Sequence, residues 1–292
     1  MSTYKGRWLE VAVRSPGAGE LEALLPEALV AAGGRAVQER DGWQVTHVPE
    51  PADPEAFLDG VRASCEGLTR HDVEVESRWC AHEDWAESWK RGLEPRYLTD
   101  RLVVTTTWQP VEERPGRVIL VVDPGMAFGT AEHGTTRGCL RLLDRTVQRD
   151  ERLLDVGAGS GILGIAAARL GAAAVLAVEG DELAVEVLVE NVEHNGVADR
   201  VRCRTRWVDV ALLTELGPHD GVVANIESGI LRPLLPGFAA AVKRGGWLIL
   251  SGILDTEWEG MRADAEGAGF TFVAVDEDGE WRSGLFTRVP GC

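Results

Sequence analysis

The sequence has no run of consecutive apolar residues approaching the roughly 18 to 20 that a membrane-spanning helix needs, so no membrane association is expected. Its start, Met1–Gly19, mixes polar and apolar side chains, and no signal peptide is expected there. Cysteine is scarce. Cys65, Cys80, Cys139, Cys203 and Cys292 are scattered, odd in number and without metal-ligand spacing. That argues against a disulfide framework or a metal site, and for reduced thiols in a cytoplasmic chain. Internal repeats and low-complexity stretches are lacking too. Positive charge is in deficit: 30 Lys and Arg against 47 Asp and Glu leave a net charge of -17. Such a surface repels phosphate backbones and attracts basic partners, so nucleic acid is not an expected substrate. The same acidity also serves solubility.

What is present suits a soluble folded chain of one large or two modest domains: 292 residues, 45% hydrophobic and 26% charged. The first 80 residues predict a small α+β unit. Leu9, Val11 and Val13 alternate as in a strand over Arg7–Arg14. Helical spacing runs from Glu20 to Ala32 and stops at Gly33-Gly34. Ala36–Glu39 and Trp43–Val48 read as a hairpin through Asp41-Gly42. Asp53 is placed to cap a helix to about Leu68, and Asp72–Trp79 alternates again. The order βαββαβ is the ferredoxin-like arrangement. Having no chemical motif, the unit is assigned to substrate docking or packing.

An acid-first, base-last segment follows, Glu83 to Lys90, with Trp85 and Trp89 one turn apart. It predicts a linker helix within residues 81–100. From Arg101 onward apolar strands alternate with helices. Strands are expected at 102–106, 118–122, 153–156, 174–178, 201–208, 221–224 and 247–250, with two more near 270–275 and 285–289. Helices are expected at 135–147, 162–170, 182–194, 231–242 and 256–265. This alternation predicts an α/β domain over 101–292, its sheet parallel and covered on both faces, closed by an antiparallel pair.

Leu153-Leu154-Asp155-Val156 runs into Gly157, Gly159 and Gly161 and then a helix. Bare backbone there admits a ligand to a helix N-terminus outside the carboxyl end of the strand. Glu179 ends the next strand, where a carboxylate can accept both hydroxyls of a ribose. Gly159, Gly161 and Gly164 also fit the dinucleotide pattern G-x-G-x-x-G, a weak signal by itself. Asp155 weighs against that reading, since a carboxylate beside the helix N-terminus repels a pyrophosphate and suits a cation. Asp155 with the three glycines resembles motif I of class I methyltransferases, whose cofactor, S-adenosylmethionine, carries a sulfonium and an ammonium. An NAD-dependent oxidoreductase and a binding module without activity stand as alternatives.

Two further segments narrow the reading. Asp123 to Thr136 is glycine-rich, with Phe128, Gly129 and adjacent threonines, and reads as a lid over the cofactor; Thr135 or Thr136 is placed to cap the next helix. Asn225-Ile226-Glu227 follows a strand where methyltransferases of this class place residues beside the reacting methyl. The Asn-Pro-Pro-Tyr type of motif used for nucleobases and glutamine is absent, which favours a simple amine as acceptor. Taken together with Glu83-Asp84-Trp85, His133, Asn195-Gly196 and Leu250-Ser251-Gly252-Ile253-Leu254, these segments make nearly the whole chain resemble the PrmA-type methyltransferases of ribosomal protein L11.

The resemblance implies a Rossmann-like mixed seven-stranded sheet behind a ferredoxin-like domain. It also implies transfer of methyl groups from S-adenosyl-L-methionine to lysine or N-terminal amines of a basic ribosomal protein, by a monomer, with another protein target as the nearest alternative. The cofactor contacts it implies are Thr136, Gly157, Glu179 and Asn225, joined by Asp155, Gly159, Gly161, Phe128 and Gly129 from the loops. Asn225 is the expected catalytic residue, aiming the amine, and His133 is the nearest titrating group. Ala131, Glu132 and Gly134 depart from the family's Gly-Thr-Gly-Thr-His-Pro-Thr-Thr run. Glu179 stands for its usual Asp, and Gly180 for a usual hydrophobic residue.

Overall fold

The computed structural model describes residues 8–15, 25–33, 37–40, 42–80, 94–123 and 131–289. The chain divides into two compact units, Met1–Leu93 and Glu94–Cys292.

In the first unit, β1 (Trp8–Arg14), α1 (Leu25–Ala31), β2 (Val37–Arg40), β3 (Trp43–Pro49), α2 (Pro54–Thr69) and β4 (Glu74–Cys80) follow one another. The four strands lie in the order β2-β3-β1-β4, all neighbours antiparallel, as the ferredoxin-like pattern requires. Alternation puts Leu9, Val11 and Val13 on one face, where they share a core with Leu25, Leu29, Val61 and Cys65. Asp53 caps α2, its carboxylate accepting from Ala56 N at 3.1 Å. Residues 81–93, with Trp85, Trp89 and Lys90, lie outside the described residues. The far end of the expected linker helix is a short strand, β5 (Arg96–Tyr97).

The second unit begins with β5, β6 (Leu102–Thr105) and β7 (Val118–Val121), which form a sheet of their own. The remaining elements alternate: α3 (Gly134–Thr146), β8 (Arg152–Val156), α4 (Ile162–Leu170), β9 (Ala174–Glu179), α5 (Glu182–His194), β10 (Val201–Thr205), α6 (Val210–Leu216), β11 (His219–Asn225), α7 (Ser228–Ala241), β12 (Val242–Leu254), α8 (Asp255–Gly267), β13 (Phe270–Asp278) and β14 (Trp281–Arg288). Their seven-stranded sheet has the order β10-β9-β8-β11-β12-β14-β13, and β14 runs antiparallel to both its neighbours.

Period two divides the strand residues between two cores. Leu153 and Val223 face the core of α3, α4 and α5, with Leu140, Ile165 and Leu188. Leu154, Val156, Val222 and Ala224 face the core of α6, α7 and α8, with Leu213, Phe238 and Met261. The order reverses direction at β8, whose neighbours are β9 on one side and β11 on the other, and ligands in such sheets bind at that crevice. Among the described residues no helix is long and apolar enough to cross a membrane, and no group of His, Cys, Asp and Glu could hold a metal ion.

Candidate active site

A cleft of about 600 Å3 opens at the carboxyl ends of β8, β9 and β11. Its floor is the loop that leaves β8. Gly157 has φ +69°, and a Cβ built there would lie 2.6 Å from Ile226 Cγ2, so only glycine fits. The N–H groups of Gly157 and Ala158 donate to Val178 O at 2.9 and 3.1 Å, tying the loop to β9. Gly159 lines the cleft beside Gly157, whereas Gly161 starts α4 with φ +80° and does not line it.

Asp155 departs from its expected place. Its side chain lies on the Leu153 face of the strand, 1% exposed, and does not line the cleft. Oδ2 accepts the N–H of Gly164, in the first turn of α4, at 2.8 Å. Gly164 packs so close that a Cβ would sit 3.1 Å from that oxygen. Asp155 therefore fastens the helix start from beneath rather than meeting a ligand. Oδ1 has no hydrogen-bond partner among the described residues. Burial, with the charge of Glu179 adding to it, pushes the carboxyl up to about 7 from 3.8.

The sign of that shift gives a testable pH dependence. The folded chain keeps a proton that the unfolded chain releases, so the contribution of Asp155 to stability is full below about pH 4 and is lost as pH rises through about 7. Asp155→Asn should remove this dependence. In urea unfolding at pH 5 and pH 8, the wild type should lose stability relative to the variant by up to a few kcal/mol (order of magnitude). Parallel changes in both proteins would contradict the assignment.

Glu179, the last residue of β9, lines the cleft and braces its floor. Oε2 accepts from Gly159 N at 2.9 Å, and Oε1 accepts from Gly180 N and Asp181 N at 2.7 and 3.0 Å. Three of a carboxylate's roughly four acceptor positions are thus filled, leaving room at Oε2 for one ligand hydroxyl rather than the two expected. Between them, Glu179 and Asp155 thus hold Gly159 N in the loop and Gly164 N in the first turn of α4.

On the other side of β8, Asn225 closes β11 and its amide donates to Thr136 Oγ1 at 3.4 Å. Both line the cleft. Thr136 is buried in the first turn of α3. That helix is held by Arg137 and Arg141, which pair with Asp278 and Asp276 on β13. Neither threonine caps it. His133 does, its Nδ1 accepting from Thr135 N at 3.4 Å and lying 2.7 Å from Thr135 Oγ1. Burial depresses the His133 pKa, and the ring rests 4.7 Å from that of Trp281, which also lines the cleft.

Phe128 and Gly129 lie outside the described residues, as does all of 124–130. Asp123, the described residue before it, is held on both sides. Its carboxylate accepts from Thr107 N and Oγ1, both at 2.8 Å, and its own N–H donates to Asn191 Oδ1 at 3.1 Å. Asn191 also donates to Ser160 O at 3.0 Å, so one buried amide joins the end of β7 to the glycine loop. Asn195, one turn on, bonds Val121 N and O at 2.9 and 2.6 Å. Sequence reasoning missed Asn191, Trp207 and Trp281. The signal for Asn191 was a polar residue at a core position of α5, one turn before Asn195; the two tryptophans leave none at the level of pattern.

A sheet in which six strands run parallel and the next-to-last in space runs against them, with a glycine loop after β8 and an acid closing β9, defines a class I methyltransferase. The profile of the family described as "Ribosomal protein L11 methyltransferase (PrmA)" matches residues 31–288, and the chain belongs to that family. A relative from Desulforapulum autotrophicum, named ribosomal protein L11 methyltransferase, is 35% identical over 267 residues, covering 89% of this chain and 86% of its own. One of the same name from Desulforamulus reducens is 42% identical over 241 residues, covering 82% and 77%. The crystal structure of a ribosomal protein L11 methylase from Lactobacillus delbrueckii subsp. bulgaricus superposes with a TM-score of 0.61 at 28% identity, covering 67% of this chain and 99% of that one.

Proposed function

We propose that this chain binds S-adenosylmethionine in the cleft at the ends of β8, β9 and β11 and transfers its methyl group to amines of ribosomal protein L11. The observation that carries the reading is the pairing, in one cleft, of a Cβ-free floor at Gly157 and Gly159 with a carboxylate at Glu179 and a side-chain amide at Asn225. These residues fit the cofactor. Glu179 Oε2 takes a ribose hydroxyl, the glycine backbone leaves room for the methionine portion, and Thr136 and Asn225 flank the reacting end.

The bound cofactor supplies an electrophilic methyl group on a cationic sulfur. The protein then has to present a neutral amine in line with it. An ammonium has no lone pair to attack with, and a low-dielectric cleft lowers its pKa. Asn225 aims the amine through its amide, while Trp281 and His133 wall the acceptor side. His133 Nδ1 is engaged in the cap of α3, so no dedicated base is assigned and solvent takes the proton.

The first unit docks the protein substrate in this reading, and the acidic surface draws a basic ribosomal partner. The enzyme acts as a monomer in the cytoplasm, where that partner is made. Incubation of the full chain with S-adenosylmethionine and purified ribosomal proteins, read by intact mass, should add 14-Da steps (about one methyl each) to L11 alone. A chain starting at Glu94 should keep cofactor affinity and lose that transfer. Normal methylation by the shortened chain would overturn the docking role, and mass gain on a different protein would overturn the target.

A further inference from the structure

Trp207 lines the cleft but has been given no role so far, and it is the most exposed of the large hydrophobic side chains among the described residues, at 78%. It stands at one particular place. Thr205, the last residue of β10, pairs with Glu179, and Arg206 N donates to Glu179 O at 2.8 Å. The next residue is Trp207. Its indole lies over Gly180: a Cβ built on that glycine would fall 2.5 Å from Cε3 and 2.8 Å from Cε2. A side chain at 180 and an indole at 207 therefore claim the same space.

Sheet order gives that space a meaning. Glu179 sits between two ends of the cleft. Toward β8 and β11 are Gly157, Asn225 and Thr136, the end where transfer occurs. Toward β10 are Gly180, Trp207 and Val208, an uncharged and aromatic end. A nucleoside held at its ribose by Glu179, with its sulfur near Asn225, must send its base toward β10. A purine is flat and apolar on its faces, and an indole is the side chain best suited to stack on it.

We infer that Trp207 is the platform for the adenine ring of S-adenosylmethionine, standing in for the wall that a side chain at Gly180 would otherwise provide. The inference rests on the cofactor reading above and adds to it the residue that fixes the base. Stacking of this kind is worth roughly 10- to 100-fold in affinity on replacement by alanine.

The test is calorimetric titration of the full chain and three variants with S-adenosylmethionine, S-adenosylhomocysteine and 5′-methylthioadenosine, which share the adenine and differ at the sulfur. Trp207→Ala should weaken all three by about 10- to 100-fold. Trp207→Phe should stay within about fivefold of the wild type, since any flat aromatic ring stacks. Gly180→Ile combined with Trp207→Ala should recover part of the loss, because an aliphatic wall takes the vacated space. An unfolding midpoint unchanged in Trp207→Ala would show that the loss is local, as expected for an exposed side chain. If the wild type binds all three ligands and Trp207→Ala binds them equally well, the platform is overturned and the cofactor reading stands. An unchanged cofactor Kd with a raised KM for the protein acceptor would also overturn it, assigning the indole to the protein substrate. No binding to the wild type would instead overturn the reading on which it rests.

Discussion

Replacing Asn225 with alanine is expected to lower kcat for methyl transfer about 100-fold while raising the Kd for S-adenosylmethionine by no more than about threefold, the pattern of a residue whose aiming of the amine outweighs its contact with the cofactor. Asn225 ends β11, and its backbone is locked between β8 and β12 by the pairings around Ala224 and Ser251. Its amide is oriented by Thr136, which sits in a helix clamped to β13 by two arginine–aspartate pairs. A rigid amide at the reacting end fixes the direction of an incoming lone pair, and a misplacement of about 1 Å costs on the order of 100-fold. Loss of cofactor affinity in proportion to the loss of kcat would mean that Asn225 binds and does not aim. Measuring kcat under saturating cofactor, alongside titration of the same variant, separates the two.

Glu179→Ala is expected to produce the opposite split. Its carboxylate holds three backbone N–H groups of the site and has one acceptor position left for a ribose hydroxyl. Hydrogen bonds to a charged group contribute about 1.5 to 3 kcal/mol, so removing the side chain should weaken the cofactor about 10- to 100-fold. S-adenosylhomocysteine, which has the same sugar, should weaken by the same factor. Glu179→Gln should fall between, since its amide keeps one oxygen acceptor. With saturating cofactor, kcat should return close to the wild-type value. Weakening of S-adenosylmethionine alone would contradict the ribose assignment, because it would place the carboxylate beside the sulfonium instead.

Local signals in the sequence are clear where capping chemistry is strong. The bounds of α4 and α5 were legible to the residue, because Gly161 and Gly171 bracket one and Asp181 and Asn195 the other. The hairpin around Gly42 and the Asp53 cap were legible for the same reason. Elements whose bounds depend on tertiary pairing were not. β12 runs for 13 residues where four were expected, because Gly245-Gly246 reads as a break while β11 pairs on both sides of it, at Val242 and from Trp247 on, and β14 then carries the strand to Leu254. The seven-residue α6 went unseen: it is too short for its pattern to show, although Asp209 caps it at 2.7 Å. Residues 102–105 and 118–121 were recognised as strands, but nothing local says that they form a separate sheet.

The candidate site divides the same way. Gly157, Gly159, Glu179, Thr136 and Asn225 converge as their order along the chain implied. Asp155 did not, although its parity with Leu153 was there to be read: period two sends it into the core rather than the cleft. The α3 cap fell to His133 because the backbone turns one residue pair earlier than the two threonines suggested. Trp207 and Trp281 reach the cleft from a loop and a strand distant in sequence, so only the fold brings them there.

The most direct test of the whole account is isothermal titration of the purified chain with S-adenosylmethionine. A single saturable site, displaced by S-adenosylhomocysteine and indifferent to NAD, is the predicted result. Absence of heat from the methyl donor, with no displacement by its demethylated product, would contradict it.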